Sequence, residues 1–207
     1  MWHSSGPQGP APDQEQLQRL MRRSQAPDNE VPVTVPLGLV LARSDDTAVL
    51  LPSAQVFRHG VSLDIAAVTR RRGSGRAFSM PMHGPMERGA GAFLLGVELS
   101  DGRRASTLHR RPPFDAPDDE PVLMPAGGGG GSRRMDSRHF LSPIPPPGKL
   151  VFVVSWTDWG IGETRTEISA DPIIEAASRV RELWPWEAEP SPDEPPSQPS
   201  PGGWFAQ

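Results

Sequence analysis

Between Val33 and Ile168 the chain repeatedly places apolar residues at every second position, and this period of two constrains the fold more than any other feature. Val33, Val35, Leu37, Leu39 and Leu41 share one parity, as a strand with one buried face requires. Val61, Leu63, Ile65 and Ala67 alternate in the same way with Ser62, Asp64 and Ala66. Thr164, Thr166 and Ile168 alternate with Glu163, Arg165 and Glu167. Leu150–Trp156, LVFVVSW, is the most apolar run and reads as a central strand buried on both faces. Pro36 removes a ladder donor from the first strand, which makes that strand an edge or a bulged one.

Turn chemistry divides the rest. Ser44-Asp45-Asp46 is a turn, and Thr47–Leu51 reads as a strand ended by Pro52. Arg58-His59-Gly60 joins Gln55–Phe57 to Val61–Thr69, with Gly60 expected at positive φ. Asp101-Gly102, between Phe93–Leu99 and Arg103–Leu108, is the strongest hairpin signal in the chain. Val122–Met124 and Asp136–Leu141 are further short strands, and the five glycines Gly127–Gly131 between them read as a flexible connector. One helix follows, at about 172–184. Asp171 suits its N-cap and Pro172 its first position. Ile173, Ala177, Val180 and Trp184 then fall on one side, and Pro185 ends it.

Eight or nine short strands without crossover helices predict an all-β domain. The architecture expected is an immunoglobulin-like or related antiparallel β-sandwich, with one short C-terminal α-helix and disordered tails. The 26 Pro and 21 Gly gather largely at the ends and in the glycine run. They divide the chain into a disordered N-terminal arm at 1–30, the sandwich at 31–186 and a disordered acidic, Pro-rich tail at 187–207. A transient helix over Asp13–Ser24 is too short to stand alone.

The stretch from Pro145-Pro146-Pro147-Gly148 through LVFVVSWTDWGIGETRTEI to Leu183-Trp184-Pro185, with the earlier SDGRRAS hairpin, resembles the C-terminal half of a family of small, uncharacterised actinobacterial all-β proteins. The resemblance implies the fold class and carries no activity with it.

Charge and composition exclude several functions. The net charge of −4 resides in residues 187–207, which hold four acidic and no basic groups. Residues 31–186 hold 18 basic and 17 acidic groups, a balance that argues against nucleic acid or anionic lipid as partner. The absence of Cys excludes disulfides and thiolate metal sites. The N-terminus lacks a basic region followed by an apolar stretch, and no window approaches 18 apolar residues. The expected setting is the cytoplasm, without a membrane.

Three features could carry function. Met80, Met82, His83 and Met86 place three thioethers and an imidazole in one Gly/Pro loop, a donor set suited to Cu(I) or another soft metal. Methionine as adaptable filler is the plainer reading of that loop. Trp204 and Phe205 stand at the tip of the acidic tail, where an apolar anchor on an extended arm could dock a protein partner. Arg70–Arg72, Arg103-Arg104, Arg110-Arg111 and Arg133-Arg134 could converge on an anion, although no aromatics interleave them. Asp118-Asp119-Glu120 reads as a solvated loop, and Trp156 and Trp159 as core and rim packing. His139, beside Arg138, reads as a surface or anion-contacting residue. No nucleophile motif, phosphate loop or cofactor motif is present. The sequence therefore favours a non-enzymatic protein–protein interaction or adaptor module, acting through a sheet edge or the aromatic tip. The alternatives are metal binding through the 80–86 loop, or an enzyme whose site is assembled only by folding.

Overall fold

The computed structural model describes residue 19 and residues 21–70, 91–108 and 117–185. It is an antiparallel β-sandwich. The strands are β1 (Glu30–Val31), β2 (Val33–Arg43), β3 (Thr47–Val56), β4 (Val61–Thr69), β5 (Leu94–Glu98), β6 (Arg104–Ser106), β7 (Val122–Gly130), β8 (Arg134–Ser142), β9 (Lys149–Trp156), β10 (Ile161–Ser169) and β11 (Arg181–Glu182). One sheet has the order β2-β3-β4-β8-β7 and the second β10-β9-β5-β6, while β1 pairs with β11. In the immunoglobulin order the first two strands share a sheet with the fourth and fifth. Here β2, β3 and β4 form a meander instead, so this is a related sandwich with its own connectivity. Among the described residues no helix is long and apolar enough to cross a membrane.

The period-two residues make the core. Leu41, Val49, Leu51, Leu63 and Ile65 of one sheet meet Leu95, Leu150, Phe152 and Trp156 of the other, all at 1 % exposure or less. Burial of this apolar area is the main stabilising contribution. β9 lies between β10 and β5 as expected of the most apolar run, but it is not buried on both faces: Leu150, Phe152, Val154 and Trp156 are buried, while Val151, Val153 and Ser155 on its outer face are only half-buried. Trp156 and Trp159 are buried, with ring centroids 5.8 Å apart, so neither offers a binding platform.

Four further local expectations are corrected. Pro52 does not end a strand. β3 runs through it to Val56, and a register shift between Leu50 and Ser53 absorbs the missing donor. Gly60 is not among the positive-φ glycines. It is required because a Cβ there would strike the Phe140 ring, which packs edge-on against Phe57 at 6.2 Å. The helix, α1, spans only Asp171–Ala177, with Ala170 at its N-cap. Ile173 and Val180 are buried as expected, but Arg181–Glu182 leave the helix to pair with Glu30–Val31, which leaves Trp184 58 % exposed. The glycine run is likewise no loose connector. Gly127–Gly130 pair residue by residue with β8 as the second half of β7.

Part of the N-terminal arm is docked. Residues 21–24 are helical, and Arg23 and Ser24 are buried. Arg23 Nη2 donates to the Glu120 carbonyl at 2.8 Å, and Arg19 pairs with Asp118. Asn29 Nδ2 donates to the Trp184 carbonyl at 3.0 Å, which ties the two ends of the domain together.

Candidate functional site

The outer face of the five-stranded sheet is built as a grid by the strand register. Ser53, Asp64, Arg138 and Gly127 fall in one row across β3, β4, β8 and β7. Leu50, Ala66, Asp136 and Gly129 form the next row. Along β8 the outward positions 134, 136 and 138 read basic, acidic, basic. Arg138 Nε donates to Asp64 Oδ1 at 3.0 Å, and Arg134 Nη2 donates to Asp136 Oδ1 at 2.7 Å. Ser53 Oγ reaches Asp64 Oδ2 at 3.4 Å. The four charged side chains remain accessible, with Arg134, Asp136 and Arg138 each more than half exposed.

Gly127 and Gly129 carry no side chains where β7 would otherwise cover Arg138 and Asp136. The space left is a cleft of about 360 Å³, bounded by Pro52 on β3 and by Ala126–Gly128 on β7, with Ile65, Ala66 and Ser137 in its lining. The register shift between Pro125 and Gly127, with Gly127 at φ +123°, bends β7 around it. Gly128, Gly129 and Gly130 are exposed, and β7 is the last strand of its sheet. Among the described residues no strand pairs with its outer edge, which therefore presents backbone donors and acceptors with no side chains in front of them.

The other edges are blunted. β2 carries Pro36 and a left-handed Gly38 at a register shift. It is also closed against the second sheet by Thr166 Oγ1, which donates to the Leu41 carbonyl at 3.2 Å. β10 presents Glu163, Arg165 and Glu167, and β6 is three residues long.

Other candidates resolve as follows. Met80, Met82, His83 and Met86 lie outside the described residues, as do Trp204, Phe205, Arg71, Arg72 and Arg110-Arg111. Arg70 is raised further above its ordinary pKa by hydrogen bonding to Asp46, and Arg103 by Asp101. Arg104 pairs with Glu98 at 2.8 Å. Arg70, Arg103 and Arg104 are thus each paired with a neighbouring carboxylate. His139 is a correction to the surface expectation: it is 2 % exposed, faces the core opposite Leu63, and lies 3.5 Å from the Ser137 hydroxyl. Among the described residues no three His, Cys, Asp or Glu side chains converge as metal ligands. Sequence reasoning missed the β7 edge. The signal was present in the even spacing of charges at 134, 136 and 138 opposite glycines, which only a paired register makes meaningful.

Comparison with family models, with curated proteins and with solved structures found no match for this chain.

Proposed function

We propose that this domain is a non-enzymatic protein-binding module that accepts an extended segment of a partner protein along the free edge of β7. One observation carries the reading: β7 is the long edge strand, among those described, that has neither charge nor cover over its last half, and a cleft opens directly beside it. Strand addition takes its affinity from main-chain hydrogen bonds and its selectivity from pockets beside the edge. Glycines let the incoming backbone approach without steric conflict. The near-neutral charge of residues 31–186 supports a protein partner over nucleic acid. A cytoplasmic setting belongs to the same proposal and is supported by the absence of Cys, which suits a reducing compartment.

The test is a display selection of nine-residue peptides against the full chain, followed by amide chemical-shift mapping. The selected peptides are expected to be extended and to shift Gly127–Gly130. Gly129→Lys puts a charged side chain on the edge where a Cβ meets nothing within 4 Å. It is expected to weaken these peptides at least tenfold. Unchanged binding to that variant, or shifts confined to another face, would refute the reading.

A further inference from the structure

The register also specifies which extended segment the edge selects, an inference that rests on the strand-addition reading. A strand added to β7 lies two strand spacings, about 10 Å, from β8. The grid aligns its outward side chains with Gly127 and Gly129, and beyond these with Arg138 and Asp136. With no β7 side chains between, a long charged residue reaches across each glycine to the β8 group behind it. The residue in the Gly127 row meets a guanidinium, and the one in the Gly129 row meets a carboxylate. Arg134, two residues further along β8 at the hairpin end, supplies a second guanidinium.

We infer that the β7 edge binds extended segments with the pattern acid-x-base-x-acid, whose three charges complement Arg138, Asp136 and Arg134. The pattern is the same read in either direction, so it serves a parallel or an antiparallel strand alike. A free partner segment is favoured over a second copy of this chain. The chain's own acid-x-base-x-acid run, Glu163-Thr164-Arg165-Thr166-Glu167, is held in β10 by its ladder to β9. Arg165 is paired to Glu98, Glu167 to Lys149, and Thr166 is bonded to the Leu41 carbonyl. A β7-to-β7 pairing is too small. The uncovered half of β7 is four glycines long and buries far less than the 1,200 Å² or so of a stable interface. The charges act chiefly as a selector. Each β8 group already has a neighbour, Asp64 for Arg138 and Asp136 for Arg134, so the incoming strand exchanges and extends these pairs. A segment of reversed sign meets like charge at every position, which is where discrimination is largest.

Three synthetic peptides test this on the full chain, each with Thr at the alternate positions. Their cores are Glu-Thr-Arg-Thr-Glu, Lys-Thr-Glu-Thr-Lys and the neutral Gln-Thr-Gln-Thr-Gln. At low salt the first is expected to bind at least tenfold more tightly than the second, with the neutral peptide between them. All three should shift the Gly127–Gly130 amides. Asp136→Asn is expected to lower the affinity of the first peptide severalfold and to leave that of the neutral peptide unchanged. Equal affinity for all three, with the β7 shifts intact, overturns the charge selection and leaves strand addition standing. No β7 shift with any of them overturns both. Should Asp136→Asn alter the amide spectrum beyond its neighbours, Arg138→Gln replaces it, with the same expectation.

Discussion

The two edges of the five-stranded sheet are made in opposite ways. β2 is sealed: its inner face holds Leu41 at 1 % exposure, Thr166 bridges to its backbone from β10, and Ser44 Oγ at its end donates to the Trp159 carbonyl at 2.9 Å. β7 is open: its last half is glycine, and the segment leading into it, Asp118–Glu120, is fastened by ion pairs to Arg19 and Arg103 and by Arg23 to a carbonyl. Apolar closure stabilises an edge and hides it. Glycine pairing on one side only keeps an edge in register while leaving it available, and exposed ion pairs hold it without much free energy.

Three measurements sharpen that contrast. The largest effect is expected at the sealed edge, where Leu41→Ala removes a fully buried side chain from the contact between the sheets. It should cost about 2–5 kcal/mol in urea unfolding, and a cost below about 1 kcal/mol would mean that the β2 closure is incidental. Next come the glycines of β7, which separate register from vacancy. A Cβ on Gly130 would strike the Arg134 carbonyl and Met135, whereas one on Gly129 meets nothing. Gly130→Ala should therefore cost about 1–3 kcal/mol, and Gly129→Ala should be neutral or stabilising by up to about 1 kcal/mol. Equal effects at the two sites would show that β7 is not held in this register.

The smallest effect is expected from acid. Hydrogen bonding from Arg19 holds the Asp118 carboxyl below the usual carboxylate range, and Arg103 does the same for Asp101. A depressed folded pKa means that the contribution is present above the unfolded value, near 4, and is lost as pH falls below it toward the folded value. Both groups are exposed, so the contribution is small. Hydrogen exchange measured on either side of that range should show the β7 approach loosening while β2 stays protected. Uniform loosening of both edges would erase the distinction.

Much of the fold was legible in the sequence because burial and period two act locally. The parity of Val61–Ala67, the Asp101-Gly102 turn and the apolar run of β9 each stated their role without knowledge of their neighbours. What was not legible depended on a partner far along the chain. The helix ended early because Arg181–Glu182 found Glu30–Val31 about 150 residues away. His139 was buried because its register with Leu63 turned it inward. The glycine run read as a flexible connector because glycine has no propensity to declare, and only the β8 ladder gives it a conformation. The candidate site inherited that blindness. Its charges lie on β8, its vacancy on β7, and its far wall, Pro52, on β3.

The most direct test is the set of intermolecular nuclear Overhauser effects between the Glu-Thr-Arg-Thr-Glu peptide and isotope-labelled full chain. Regular cross-strand contacts from the peptide backbone to Gly127–Gly130, with its arginine near Asp136, are the result expected. Contacts to β2, to β10 or to the outer face of β9, with none to β7, would contradict the assignment of an open and selective edge.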